Sequence, residues 1–333
     1  MSSHRSPSPI TARFVALAIL ASCRQAVVHE PVGEPANESA AAHPTQHRAS
    51  QASPLAVSLL GDELFAPPLE EPFRRAHEAA LEDAYEALAN SPEDVAQFVR
   101  VGRELAYLGR IDEAVEHYTR GLDRWPDEPH LLRHRGHRRL TLRQLGLATH
   151  DLSRAAELLD SAPDEVEPDG IPNARGEPRS TLKGNVWYHL GLALFCSGEY
   201  SRAQSAFETA QGLARNDDTL VACIYWRTLA AWRMGLLTDA EGYLAGVPRE
   251  PDVIENGDYL ELLRLFREER TDAQLLDGAS SPLALATRAF GVAQLRLRNG
   301  AVDGANELYV RILDETPWTA FGHLAAEAEL SRL

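Results

Sequence analysis

Three alanines, Ala80, Ala114 and Ala148, stand 34 residues apart. The same interval separates Pro92 from Pro126 and Gly102 from Gly136, and it runs through Ala84, Tyr118 and Leu152. Self-similarity at such a period is the signature of a stacked array, each unit being two helices and a turn. One unit cannot bury its own apolar face. Neighbouring units must supply the core, so the chain grows repeat by repeat instead of as closed globular domains. The period constrains architecture and leaves the ligand open.

Composition narrows the partner. The 333 residues carry a formal charge of −16, which opposes binding to a phosphate backbone, and no nucleic acid is expected. Lys183 is the only lysine; every other basic side chain apart from histidine is arginine. The three cysteines form no CxxC pair. Cys196 and Cys223 fall near opposite ends of neighbouring first helices, an offset of about 15 Å. A disulfide requires Cα atoms within about 7 Å, so two buried free thiols are expected.

The N-terminus reads as an export signal. Arg5 and Arg13 precede the short apolar run Phe14–Ala21, which is too brief to span a bilayer. It ends in Leu20-Ala21-Ser22-Cys23, which resembles the bacterial lipobox. That resemblance implies acylation of Cys23, a palmitate-bearing membrane anchor and a periplasm-facing position, with Arg24 matching outer-membrane sorting. The expected organisation is a signal over 1–22, a disordered Pro/Ala/Ser/Glu-rich tether over 23–60, a first helical block over 61–160, a Pro/Gly-rich insertion over 161–183, and a second block over 184–333.

From Val95 the repeats resemble the tetratricopeptide (TPR) pattern, in which small residues let two helices approach while large ones fill the seam. Repeat one supplies Phe98, Gly102, Leu105, Ala114, Tyr118, Gly121 and Pro126; repeat two supplies Leu132, Gly136, Ala148, Leu152 and Ala155. Repeat three supplies Trp187, Leu190, Gly191, Leu194, Ala203, Phe207 and Ala210. Weaker copies contain Gly235, Ala240 and Leu244, and then Ala289, Gly300, Ala305, Tyr309 and Pro317. The gap between Ala240 and Ala305 leaves room for a degraded repeat over Asp252–Ser280. Arg74–Ala89 reads as a lone second helix and Trp318–Leu330 as a closing helix. The resemblance implies an all-α fold, a TPR α-solenoid forming a right-handed superhelix of antiparallel helix pairs.

Chemistry is sparse. Glu165, Glu167, Asp169 and Gly170 begin like a calcium loop, but the later ligand positions fail, and a solvated acidic loop is the better reading. His130, His134 and His137 share a helix face, yet arginines interleave with them and disfavour a metal. No acidic residue lies between His130 and Thr149, which suits an anion-binding surface. His77-Glu78 lacks the second histidine of a zinc-protease motif, and neither a nucleophile elbow nor a phosphate loop is present. Catalysis, cofactors, metals and a small-molecule substrate are therefore not expected.

In the family, the concave groove is lined by set positions of each first helix. Those positions give Arg103 and Tyr107; Arg133, His137 and Thr141; Asn185, Tyr188 and Phe195; Tyr225, Trp232 and Arg233; and Phe290, Gln294 and Arg298. Arginine with aromatics is the composition of interface hot spots. The expected role is a lipid-anchored scaffold for a peptide or protein partner. A self-assembling structural component of an envelope or secretion complex remains an alternative, as does a cytoplasmic co-chaperone-like module if the signal is unused.

Overall fold

The computed structural model describes residues 53–168 and 173–333. The expected signal, Cys23 and most of the tether lie outside the described residues, as do Asp169 and Gly170 of the acidic loop. A small antiparallel pair, β1 (Ala56–Val57) and β2 (Glu63–Leu64), precedes fourteen helices among the described residues. These are α1 (Glu71–Asn90), α2 (Val95–Tyr107), α3 (Ile111–Arg124), α4 (Pro129–Thr141), α5 (Leu145–Leu159), α6 (Leu182–Cys196) and α7 (Tyr200–Gly212). There follow α8 (Asp217–Arg233), α9 (Leu237–Ala245), α10 (Gly257–Phe266), α11 (Asp272–Asp277), α12 (Pro282–Arg298), α13 (Val302–Glu315) and α14 (Phe321–Leu330).

The helices pack in consecutive pairs, as in TPR arrays, and the expected all-α architecture is what the structure contains. The degraded repeat is present as α10 and α11, and the lone leading helix as α1. Inner and outer members of each pair begin differently. Inner helices α2, α4, α6, α8 and α12 start with a side chain accepting from a first-turn N–H, supplied by Asp94, Glu128, Thr181, Asn216 and Ser281. Outer helices α3, α5, α7, α9 and α13 have no such cap. They follow a tight turn whose middle residue is left-handed: Gly109, Gly198, Gly235 and Gly300 in four cases. In the α4–α5 turn that residue is Arg143, at φ 64°.

Within a pair, closeness is set by the glycine of the first helix. A Cβ on Gly191 would lie 2.6 Å from Phe207 Cε1, and one on Gly102 would collide with the Tyr118 ring. Tyr118 and Phe207 are fully buried in these slots.

The inner helices α2, α4, α6, α8, α10 and α12 touch in succession, and α8 also reaches α12. The closing helix α14 packs on α12 and α13 and then returns across the array to α6. Arg143 explains the return. Its buried guanidinium forms a two-pronged ion pair with Glu327 of α14, donates to Trp318 O (2.7 Å), and lies 5.2 Å from the Trp318 ring centre. A non-glycine residue in this turn costs about 1–3 kcal/mol of backbone strain, which the buried pair holds in place.

The linker ends earlier than residue 60. Leu55 N donates to Leu64 O (2.7 Å), Leu59 N donates to Glu327 (3.1 Å), and Trp318 Nε1 donates to Phe65 O (2.8 Å). Leu64 is buried and Leu59 packs on the main core, so this short segment gains enough apolar contact to order. The described part of the insertion is likewise tied down: Glu167 N donates to Ser180 O (3.1 Å), and Arg175 and Arg179 pair with Asp252. Across it, α5 packs directly on α6.

Candidate functional site on the inner face

Arg103 and Tyr107 lie one turn apart on α2; Arg133, His134, His137 and Arg138 lie on the adjoining face of α4. Together with Glu167, Pro168 and Ser180 from the insertion, they line one cavity of about 140 Å³. Four of the expected groove residues, Arg103, Tyr107, Arg133 and His137, are thus brought together. Glu167 is the carboxylate among the cavity's lining residues. It lies 2.9 Å from Arg133 Nη2 and 3.5 Å from His134 Nε2, and also accepts from the Asn185 amide.

The two imidazoles in this cavity are neutral. Burial pushes His134 well below its ordinary range, and Arg133, Arg103 and Arg138 push it further. His137 is lowered the same way, by burial and then by Arg138 and its neighbour His189, whose tilted ring is centred 4.2 Å away. Each imidazole therefore serves as an acceptor: Arg133 Nη1 donates to His134 Nδ1 (3.1 Å) and Arg138 Nη2 to His137 Nδ1 (2.9 Å). His130 leaves this group and sits between Glu128 and Glu165, at 2.6 and 2.5 Å. The first two carboxylates of the acidic loop, Glu165 and Glu167, are thus engaged by His130 and Arg133. No cluster of three metal-ligating side chains occurs among the described residues.

The other expected groove residues separate. Tyr188 lines a second cavity of about 290 Å³ with Asp218, Tyr259 and Phe321. Its hydroxyl is 3.1 Å from Tyr259 Oη and accepts from Trp226 Nε1. Asp218, 1% exposed, accepts from the backbone N–H groups of Ile254, Glu255 and Asn256 and so fixes the entry to α10. Trp232, Arg233 and Arg298 line a third cavity of about 310 Å³. There Arg233 pairs with Glu329 of α14, and Arg298 lies 5.4 Å from the Trp232 ring centre.

Three expectations need correction. Tyr225, Phe195 and Phe290 were expected to face a groove, but all three are sealed in the core, at 1%, 0% and 0% exposure. Phe195 and Phe290 lie 6.3 Å apart, and Tyr225 stacks against Phe266 at 5.9 Å. The physical reason is closure. Because α8 meets α12 and α14 meets α6, positions that would face an open axis face one another instead.

The groove positions missed Arg138, His134 and Glu167. The acid-free stretch from His130 to Thr149 was the available signal for the first two; Glu167 arrives only through the fold of the insertion. A larger cavity of about 690 Å³ lies on the outer side between α5, α6 and α7, over Trp187, Leu190 and Leu194. It gathers no comparable set of charges. Cys196 and Cys223 are both buried free thiols, and burial pushes each up to about 12.

No protein-family model matches this chain, and no curated protein sequence matches it. Among solved structures it is similar to the crystal structure of YrrB, described as a TPR protein with an unusual peptide-binding site. The match has 15% identity and a TM-score of 0.41, covering 76% of this chain and 100% of that one.

Proposed function

We propose that this chain is a non-catalytic scaffold that holds a peptide or protein partner on the inner face of α2 and α4. The observation that carries this reading is the convergence of Arg103, Tyr107, Arg133 and His137 on one cavity between α2, α4 and the insertion. Arginine forks and a tyrosine at a partly desolvated site are the side chains from which interface hot spots are built. The proposal includes attachment to the cell envelope through acylated Cys23, on the strength of the Leu20-Ala21-Ser22-Cys23 segment. Several buried acyl chains, at about 0.8 kcal/mol per CH₂, would make that attachment durable.

Cross-linking and pull-down of the full chain from detergent-solubilised envelopes tests the scaffold role. A double variant, Arg103→Gln with Tyr107→Ala, is expected to lose partners that Arg298→Gln retains. Identical capture by both variants would place the partner elsewhere. Palmitate labelling with Cys23→Ala as control tests the anchor, and incorporation that survives the substitution rules it out.

A further inference from the structure

Five arginines stand on α4 and its following turn, and the described residues give four of them a carboxylate. Arg133 pairs with Glu167, Arg135 and Arg139 share the buried Asp151, and Arg143 holds Glu327. Arg138 has none. Its one hydrogen bond among the described residues goes to the neutral imidazole of His137, and its Nε is buried without a partner, as is Nε of Arg133. Arg103, across the same cavity, makes no ion pair among the described residues.

Like charges gathered without counter-charge in a desolvated site are unfavourable. Among the described residues that line the cavity, three guanidinium charges face one carboxylate, that of Glu167, which leaves two positive charges around a space of about 140 Å³. That space corresponds to roughly four or five water volumes, which admits a compact group and no bulky side chain. A single carboxylate would leave one guanidinium unmatched. A tetrahedral dianion offers oxygens to all three forks.

We infer that the cavity between Arg103, Arg133 and Arg138 is a binding site for a tetrahedral dianion, either inorganic phosphate or the phosphate group of a monoester. The inference rests on the reading of this inner face as a binding surface and names the chemistry that it receives. His134 and His137 stay neutral in the site and orient the guanidinium groups, while Glu167 holds Arg133 from the side of the insertion.

Isothermal titration of the full chain with sodium phosphate, at fixed ionic strength, is expected to show one saturable site. Arg138→Gln should weaken it at least about tenfold, the loss of a charged two-pronged contact. Arg298→Gln, in the separate cavity beside Trp232, should bind as the parent does. Melting in phosphate-free buffer separates binding from packing, because removing an unmatched charge leaves the Tm unchanged or raised. A drop of more than about 5 °C for Arg138→Gln there would make the arginine structural and overturn the site.

Glycerol 2-phosphate distinguishes the two sources. Tighter binding than phosphate identifies the head of a larger ligand, and weaker binding identifies the free ion. Absence of saturable phosphate binding, or equal binding of acetate, overturns the inference. Partner capture in phosphate-free buffer reads the scaffold role separately. Capture without phosphate binding sinks only the anion site; phosphate binding without capture sinks only the scaffold.

Discussion

The inner helices α2 and α4 face a cavity lined by guanidinium groups, whereas α8 and α12 face each other across packed aromatic rings. Equivalent repeat positions therefore have opposite fates. The same place in the repeat is held by Arg133 on α4, beside the cavity, and by Tyr225 on α8 and Phe290 on α12, which are buried. In the C-terminal half, the inward residues Phe195, Tyr225 and Phe290 are core. Trp226 joins them, with ring centres 5.1 Å from Phe195 and 5.8 Å from Phe290. The difference shows that a repeat array has no fixed binding face. Whether an inward position meets solvent or protein depends on how tightly the array coils and on what its terminus covers.

The contrast can be broken most severely at the rings. Trp226→Ala is expected to destabilise the chain by about 4 kcal/mol in urea denaturation, because a large buried ring leaves a cavity that its neighbours cannot fill. Arg103→Gln on the open half should change stability by less than about 0.5 kcal/mol. Comparable losses at the two sites would show that the halves are not packed differently.

The closure itself is tested at Glu327. Glu327→Ala strands the buried Arg143 charge and should lower stability by about 3 kcal/mol. Arg143→Gly should also be destabilising, by less, since it relieves the left-handed strain while orphaning Glu327. A stabilised Arg143→Gly would mean that the pair contributes nothing to holding α14.

Acid should sharpen the comparison, because α14 closes over titratable groups. Burial pushes His189 down to about 3, aided by Arg133 and opposed by its hydrogen bond to Asn185 O. Its neutral form is therefore favoured in the folded state, and the unfolded chain takes up the proton first. The contribution is complete above pH 6.5 and is lost as pH falls toward 3, at about 1.4 kcal/mol per unit, or about 2 kcal/mol between pH 6.5 and 5. His117, lowered to about 4 by burial, adds the same sign in the N-terminal half.

Glu327 acts at lower pH. Burial would raise it, but His323 and Arg143 together hold it down at about 2. Its contribution is present above pH 4.5 and is lost as pH falls from there through about 2. Denaturation at pH 7 and pH 5 should show a shallower decline for His189→Gln; an unaltered decline would remove His189 from the account. Gly235→Ala should cost about 1 kcal/mol in the same denaturation experiment, since φ is 73° there and nothing lies within 4 Å of the added methyl.

Much of the fold was legible because it is local. The 34-residue spacing of small and large residues set the helix pairs, including the closing helix and the degraded repeat around Tyr259. The site was legible in part. Arg103, Tyr107, Arg133 and His137 follow from repeat register and do share one cavity. Arg138 stands one residue beyond a groove position, so register passed over it, although the acid-free run around it was visible. Tyr225 and Phe290 were misplaced because register says which way a residue points along its own repeat and nothing about what stands opposite.

What the sequence determined alone was the succession of antiparallel pairs, since each small residue and each turn acts within about 34 positions of its partner. Only the tertiary structure decided that the array closes. Arg143 and Glu327 are 184 residues apart, and Leu59 and Glu327 are 268 apart. No periodic pattern encodes those meetings. They arise because buried charge must find counter-charge and exposed apolar edges must find cover, and the coiled chain brings both within reach.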